Sequence, residues 1–340
     1  MSDPLISVVV PVHDEGAWLA GCLDSLLAQS HPRVEIVVID DGSRDDSLAV
    51  ARRYEERGVR VFAFPETRGE GAARGKGVAE STGAFIVQVD ADAIFPPDFL
   101  ERGLAHFKKD AGLGAIALGY LKVHPARKGL IADYFRAKRA ASHALRAAGN
   151  KDEVAGFFMY RRDVIDKVGS YDPSFPGGTD LDFGKRVKAA GIPYAWAADT
   201  WFWHADPEAW GEFLRRTFNG SLYWKKAYVK HGMWPTGRRR ALLFTRTIFV
   251  SLLPAYLLLA LLDPWWLVPA LAALALESVV PVALDPESRA VLGIALRKRQ
   301  WLLALALPAI LFTRLRASAY GKVYADLVPS ASRRSNTFDV

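Results

Sequence analysis

Two carboxylates one residue apart, Asp90 and Asp92, close the apolar run Ala84-Phe-Ile-Val-Gln-Val89. Rich in branched and aromatic side chains, that run reads as a buried strand. In extended chain, positions i and i+2 point to one side, so both acids face one cleft. They sit at the carboxyl end of the strand, where open α/β sheets hold their ligands. Carboxylates that close repel each other, and a hard divalent cation, Mn2+ or Mg2+, relieves the repulsion. A solvated loop is the plainer reading of an isolated Asp-X-Asp. The surrounding residues argue against it.

Asp40 and Asp41 end a second apolar run, Val34-Glu-Ile-Val-Val-Ile39. A carboxylate there can accept from an imide N–H or from ribose hydroxyls, although Asp41-Gly-Ser43 also suits an ordinary turn and helix cap. Pro11 to Glu15 leave the first strand where a base or ribose can lie against the backbone. Gly69, Gly71, Gly75 and Gly77 let backbone approach a ligand closely, and Arg74 and Lys76 add cationic reach toward a diphosphate. The Gly-Lys-Ser/Thr ending of a Walker loop is missing, so ATP chemistry is not implied.

Val10-Pro-Val-His-Asp-Glu15, Ile39-Asp-Asp-Gly-Ser43, Arg68-Gly-Glu-Gly-Ala-Ala-Arg-Gly-Lys-Gly77 and Asp90-Ala-Asp92 follow one another in a telling order. Their order and spacing resemble the nucleotide-sugar domain of glycosyltransferase family 2, over about residues 5–225. The nearest resemblance is to membrane-anchored members with a C-terminal helical hairpin. It implies a GT-A fold and inverting transfer from a nucleoside diphosphate sugar, a UDP-sugar being favoured. It also implies that Asp41 contacts the base and Glu15 the ribose. Asp92 would ligate the metal, with Asp90 beside it holding ribose or metal-bound water. His204, in Trp201-Phe-Trp-His204, matches a histidine that completes the metal shell; a structural histidine is the alternative. An imidazole ligand favours Mn2+ over Mg2+.

Gly177-Gly-Thr-Asp-Leu-Asp-Phe-Gly-Lys-Arg186 resembles the acceptor-site motif of the family, where Glu-Asp normally stands at Thr179-Asp180. Asp180 keeps the key carboxylate and is assigned as general base, taking a proton from the attacking hydroxyl. Asp182 more simply caps or braces its helix. Thr179 in place of glutamate, and Gly75 where asparagine is usual, are departures from the pattern. A base implies a hydroxyl acceptor, which favours a lipid-linked saccharide or glycolipid. A polyprenyl-phosphate glycosyl synthase is the alternative, since a phosphate acceptor is already an anion. Arg215 and Arg216, with Lys225 and Lys226, could receive a lipid phosphate or simply form a solvated face. A processive polysaccharide synthase would carry Gln-X-X-Arg-Trp, where this chain reads Phe213-Leu-Arg-Arg-Thr-Phe218. A non-enzymatic nucleotide-sugar sensor would have no need of Asp180.

The elements that must position these residues are strands alternating with helices, as in a mostly parallel, Rossmann-like sheet. Strands are expected at Leu5–Val10, Val34–Ile39, Val59–Phe64, Ala84–Val89, Ala155–Arg161 and Tyr194–Ala198. Helices are expected around Ala17–Gln29, Ser43–Arg57 (capped by Ser43), Gly69–Ser81, Pro97–Lys109 and Pro207–Lys230. From Lys122 to Lys151 the chain carries eight Lys/Arg against one acid, Asp133. A basic amphipathic helix there suits a membrane surface, an anion or plain solvent.

Composition changes after residue 235. Residues 1–235 hold 31 Lys+Arg and 31 Asp+Glu, whereas residues 236–340 hold 13 and 6, so the whole net charge of +7 lies in the second part. A nucleic-acid binder would show its excess on the folded domain, so no nucleic acid is expected. The apolar runs 241–262 and 265–284 each suit a bilayer span, joined by a turn at Asp263-Pro264. Arg238-Arg-Arg240 and Arg297-Lys-Arg299 flank the pair and predict a catalytic domain on the cytoplasmic face. The shorter run 301–313 reads as interfacial or re-entrant, and 329–340 as a polar tail. The expected domains are therefore 1–235 and 236–328. The lone cysteine, Cys22, rules out an internal disulfide and fits a reducing face, and no signal peptide is visible.

Overall fold

A computed structural model describes residues 3–148, 158–233, 252–274 and 285–327. They divide into two compact units: 3–125 with 158–205, and 126–148 with the described residues from 206 to 327. The boundary expected near residue 235 lies outside the described residues.

The first unit holds an eight-stranded sheet. Its strands are β1 (Ile6–Val12), β2 (Val34–Asp40), β3 (Arg60–Ala63), β4 (Phe85–Gln88), β5 (Ala93–Ile94), β6 (Ala115–Val123), β7 (Phe158–Arg161) and β8 (Tyr194–His204). Their spatial order is β3-β2-β1-β4-β7-β6-β8-β5. β1 to β4 run parallel, as expected from the alternation of strand and helix. β7 runs antiparallel to both neighbours, and β5 antiparallel to β8. The chain builds outward from β1 through β2 to β3, then returns to lay β4 on the other side of β1. That reversal opens a crevice beyond the carboxyl ends of β1 and β4, the place where α/β sheets bind ligands.

Helices α1 (Gly16–Leu27), α2 (Ser47–Arg52), α3 (Glu70–Glu80) and α4 (Phe99–Lys109) cover the parallel half, with α6 (Asp163–Val168) and α7 (Thr179–Ala189) later in the unit. Strand alternation fills both faces of the sheet. Val8, Val10, Ile36, Val38 and Val87 meet Leu19, Leu23, Leu26, Phe99 and Leu104 on one side. Val9, Ile86, Phe158 and Tyr160 meet Val78, Tyr171, Phe183 and Val187 on the other. α2 is shorter than expected, followed by a 3-10 turn at Glu55–Arg57. Ser43 does not cap it, because the Ser43 hydroxyl accepts the Asp14 N–H instead, at 3.1 Å.

The second unit is helical: α5 (Gly129–Ala147), α8 (Trp210–Tyr223), α9 (Lys225–Lys230), α10 (Leu253–Leu259), α11 (Leu267–Leu274), α12 (Pro286–Arg297) and α13 (Trp301–Leu327). The basic segment after Lys122 does form an amphipathic helix, α5. Its face of Ile131, Ala132, Tyr134, Phe135 and Ala141 is buried, which explains why it groups with the C-terminal helices. The single helix expected over 207–230 is broken at Trp224 into α8 and α9. The segment expected to end near Thr313 continues as helix to Leu327, with Pro308 inside it. Arg314 does not end the helix, because its guanidinium donates to the Tyr134 hydroxyl at 2.9 Å and so has a partner indoors.

Among the described residues, no helix is long and apolar enough to cross a membrane. The transmembrane hairpin expected over 241–262 and 265–284 is therefore unsupported, and much of it lies outside the described residues. What is described there is two short helices, α10 and α11, with the expected turn between them: Asp263 accepts the Trp265 N–H at 3.0 Å.

Candidate active site

Three loops meet at the carboxyl ends of β1 and β2. Asp14, in the left-handed region at φ 53°, accepts the Arg44 N–H at 2.7 Å. His13 Nδ1 lies 2.8 Å from the Asp41 carbonyl, and the Glu15 N–H donates to the Ser47 hydroxyl at 2.9 Å. The loop after β1, with Pro11 at the strand end, is thus latched to the loop after β2. The third loop joins through Asp41, whose carboxylate accepts the N–H groups of Arg68 (2.7 Å) and Gly69 (2.9 Å). Burial raises the Asp41 pKa, and those two backbone donors oppose the rise. Gly42, at φ 67°, lets this happen: a Cβ there would stand 2.6 Å from the Thr67 nitrogen.

Helix α3 starts at this junction and directs its two cations differently. Arg74 is 4% exposed, and its guanidinium spans Glu70 Oε1 at 2.7 Å and Asp90 Oδ1 at 2.7 Å. Burial opposes that charge, but the two carboxylates outweigh it and hold the pKa above the ordinary guanidinium value. Lys76 pairs with Glu80 and lies over the Phe62 ring, 5.2 Å from its centroid. Two residues along a helix turn a side chain by roughly 200°. Arg74 braces Asp90, whereas Lys76 leaves the helix on another side, toward Glu80 and Phe62.

Asp90 and Asp92 follow β4, and β8 brings His204 to them. The two-residue strand β5 pairs antiparallel with the end of β8, setting Ala93 opposite His204. The Ala205 N–H then donates to the Asp92 carbonyl at 3.1 Å. His204 Nε2 lies 3.3 Å from Asp92 Oδ1 and 3.8 Å from Asp90 Oδ2. One donor atom from each residue falls within 4.8 Å of the others. Donors around a six-coordinate cation with ~2.1 Å bonds stand roughly 3–4.3 Å apart, so the set fits a small divalent ion. Arg74 occupies Asp90 Oδ1, which leaves Oδ2 on the side of His204. Two oxygens and one imidazole suit Mn2+ or Mg2+ and leave positions for phosphate oxygens.

The acceptor-motif loop is tied to the same helix start. The Gly71 N–H donates to the Phe175 carbonyl at 2.9 Å, and the Thr179 hydroxyl donates to Glu70 Oε1 at 2.7 Å. Asp180 follows Thr179 in the first turn of α7 and is half-buried, while Asp182 braces Arg186 at 2.9 Å as expected. Glu70 escaped the sequence reading, although Glu70 and Arg74 stand at the i, i+4 spacing of a helical ion pair. Of the expected site residues, Asp90, Asp92 and His204 come together with Arg74 behind them. Arg215 and Arg216 are exposed on α8, in the second unit.

Residues 7–169 match the family described as Glycosyl transferase family 2. The chain is 27% identical over 222 residues to glycosyltransferase AglE of Haloferax volcanii, covering 63% of this chain and 71% of AglE. It is 32% identical over 114 residues to the chondroitin synthase of Escherichia coli, covering 33% of this chain and 17% of that much longer protein. Among solved structures it resembles the mannosyltransferase PcManGT from Pyrobaculum calidifontis, in complex with GDP-Man and Mn2+. The TM-score is 0.57 at 22% identity, over 96% of this chain and 88% of that one. That likeness is one of fold, and the fold is GT-A.

Proposed function

We infer that this chain, a glycosyltransferase with a family 2 domain over residues 7–169, moves a sugar with inversion from a nucleoside diphosphate sugar to a hydroxyl. The acceptor hydroxyl belongs to a lipid-linked saccharide or glycolipid, and a UDP-sugar is the favoured donor. The observation that carries the reading is the group of Asp90, Asp92 and His204 at the sheet's ligand-binding end. A divalent cation held there would neutralise the departing diphosphate. Arg74 keeps Asp90 aimed at that position. The latched loops beyond β1 and β2, with Glu15 and Asp41, form a rigid rim against which base and ribose can lie. Asp180 takes the proton of the acceptor hydroxyl as its oxygen attacks the anomeric carbon. Large apolar side chains exposed around the turn at Asp263, among them Leu261, Leu262 and Trp265, support attachment to a membrane.

The test is a thermal-shift screen of UDP- and GDP-sugars with and without Mn2+, followed by mass spectrometry of the lipid product. We expect Mn2+-dependent stabilisation by one donor, and a product in which the sugar is joined to a hydroxyl. Asp180→Asn should keep donor binding and lose roughly 10²–10⁴-fold in transfer, the usual contribution of a general base. No donor binding at any Mn2+ level would sink the nucleotide-sugar reading. Near-normal turnover of Asp180→Asn would sink the base assignment, and a product joined to a lipid phosphate would sink the hydroxyl acceptor.

A further inference from the structure

A line of three short contacts crosses the first unit: Thr179 Oγ1 to Glu70 Oε1, Glu70 Oε1 to Arg74 Nε, and Arg74 Nη2 to Asp90 Oδ1, each 2.7 Å. One end is the residue before Asp180. The other is a carboxylate of the cation group. Glu70 is the shared acceptor, its single oxygen Oε1 receiving both the hydroxyl and the guanidinium.

Charge explains why an acid is needed there. Arg74 is buried between Glu70 and Asp90, so one cation divides itself between two anions. Take Glu70 away, and the whole guanidinium charge falls on Asp90, which then has less to give a divalent ion. Geometry adds a second demand. Thr179 opens α7, and its hydroxyl is fixed only while an acceptor faces it across the gap from α3. A residue that neutralises Arg74 on one side and holds the start of α7 on the other sets the cation group and Asp180 in register.

We propose that Glu70 is a positioning residue for transfer, tuning the affinity of the Asp90–Asp92–His204 group for its cation and aligning Asp180 through Thr179. This rests on the cation site and base proposed above, and it concerns a residue outside both.

The test measures Mn2+ binding to the full chain by the loss of the free-ion EPR signal, without donor or turnover. Thermal melting checks folding, and transfer is assayed alongside. Glu70→Gln keeps shape and removes charge. Outer-shell losses at metal sites cost about 10–100-fold, and we expect Glu70→Gln to weaken Mn2+ binding by about 10-fold and to lower turnover as well. Thr179→Val removes only the hydroxyl; it should leave Mn2+ binding near normal and reduce kcat with little change in donor KM. Thr179→Ser should restore kcat. The paired exchange Glu70→Thr with Thr179→Glu returns a carboxylate to the gap from the other helix, and should recover Mn2+ affinity relative to Glu70→Gln. Equal Mn2+ affinity and turnover in wild type and Glu70→Gln would overturn the proposal alone. A wild-type chain that binds no Mn2+ would overturn the cation site and this inference together.

Discussion

Asp92 and His204 stand far apart in the chain, yet 3.3 Å separates Oδ1 from Nε2. Asp92 was legible from its place after an apolar run among neighbouring motifs, and His204 only through the family resemblance. Glu35 left no such mark. It sits in β2 opposite Ser7 of β1, a register that no local pattern announces. The Ser7 hydroxyl donates to its carboxylate at 2.5 Å, the Thr82 N–H at 2.8 Å and Arg60 at 2.8 Å. Burial alone would raise the Glu35 pKa, but these donors together outweigh it, and the carboxyl is held below its ordinary value of 4.5. A lowered folded-state pKa means that the stabilisation is complete above the unfolded value and is lost as pH falls through the folded one. Glu35→Gln should therefore cost about 1.5–3 kcal/mol near neutral pH, the range for hydrogen bonds to a charged group. The gap to wild type should close as the pH falls below the ordinary carboxyl value of 4.5 and through the lowered folded one. Melting curves of both proteins across this range check it, and a gap independent of pH would show that the charge contributes nothing.

At the scale of elements, sequence patterns located β1, β2, β4 and α1 to within a few residues, because their apolar spacing is set by packing on the sheet. β5 was missed because two residues have no periodicity, and β5 is what brings His204 to Asp92. The glycine-rich stretch expected as a helix over Gly69–Ser81 is helix α3, whose pitch sends Arg74 and Lys76 apart. The glycines of that helix answer to contact rather than flexibility. A Cβ on Gly71 would stand 2.1 Å from the Asp172 carbonyl oxygen, within the loop that leads to α7. Alanine ordinarily favours a helix over glycine by about 1 kcal/mol, but here the clash with backbone must win. Gly71→Ala should destabilise by about 1–3 kcal/mol, the range for overpacking. Gly220 in α8 has nothing within 4 Å of the same added atom among the described residues, so Gly220→Ala should stabilise by about 0.5–1 kcal/mol. Melting temperatures should move in opposite directions. A rise in both would mean that the loop gives way at Gly71 and does not fix the start of α7.

At the scale of the molecule, two forces can draw the chain to a bilayer, and they respond differently to salt. The net charge of +7 falls entirely within residues 236–340. Basic residues near an anionic surface contribute about 1 kcal/mol each, an attraction that fades within a Debye length. The other force is apolar. Leu258, Leu261, Leu262, Trp265, Val268 and Leu271 are each more than half exposed around the turn at Asp263. At about 1.5–3 kcal/mol for each large side chain taken fully out of water, six of them amount to roughly 10 kcal/mol. That total is comparable with what the charges supply in ordinary salt, and it does not depend on screening. In vesicle flotation, the full chain should rise with anionic vesicles at ~0.15 M salt and remain with them at ~1 M, where the Debye length shrinks to about 3 Å. Neutral vesicles should also carry it, less completely. Release by high salt would mean that the surface charge alone does the holding and that the exposed leucines and Trp265 are covered by something other than lipid. A chain left in the aqueous layer at both salt levels would remove the membrane from the proposal, and with it the reason to look for a lipid-borne acceptor.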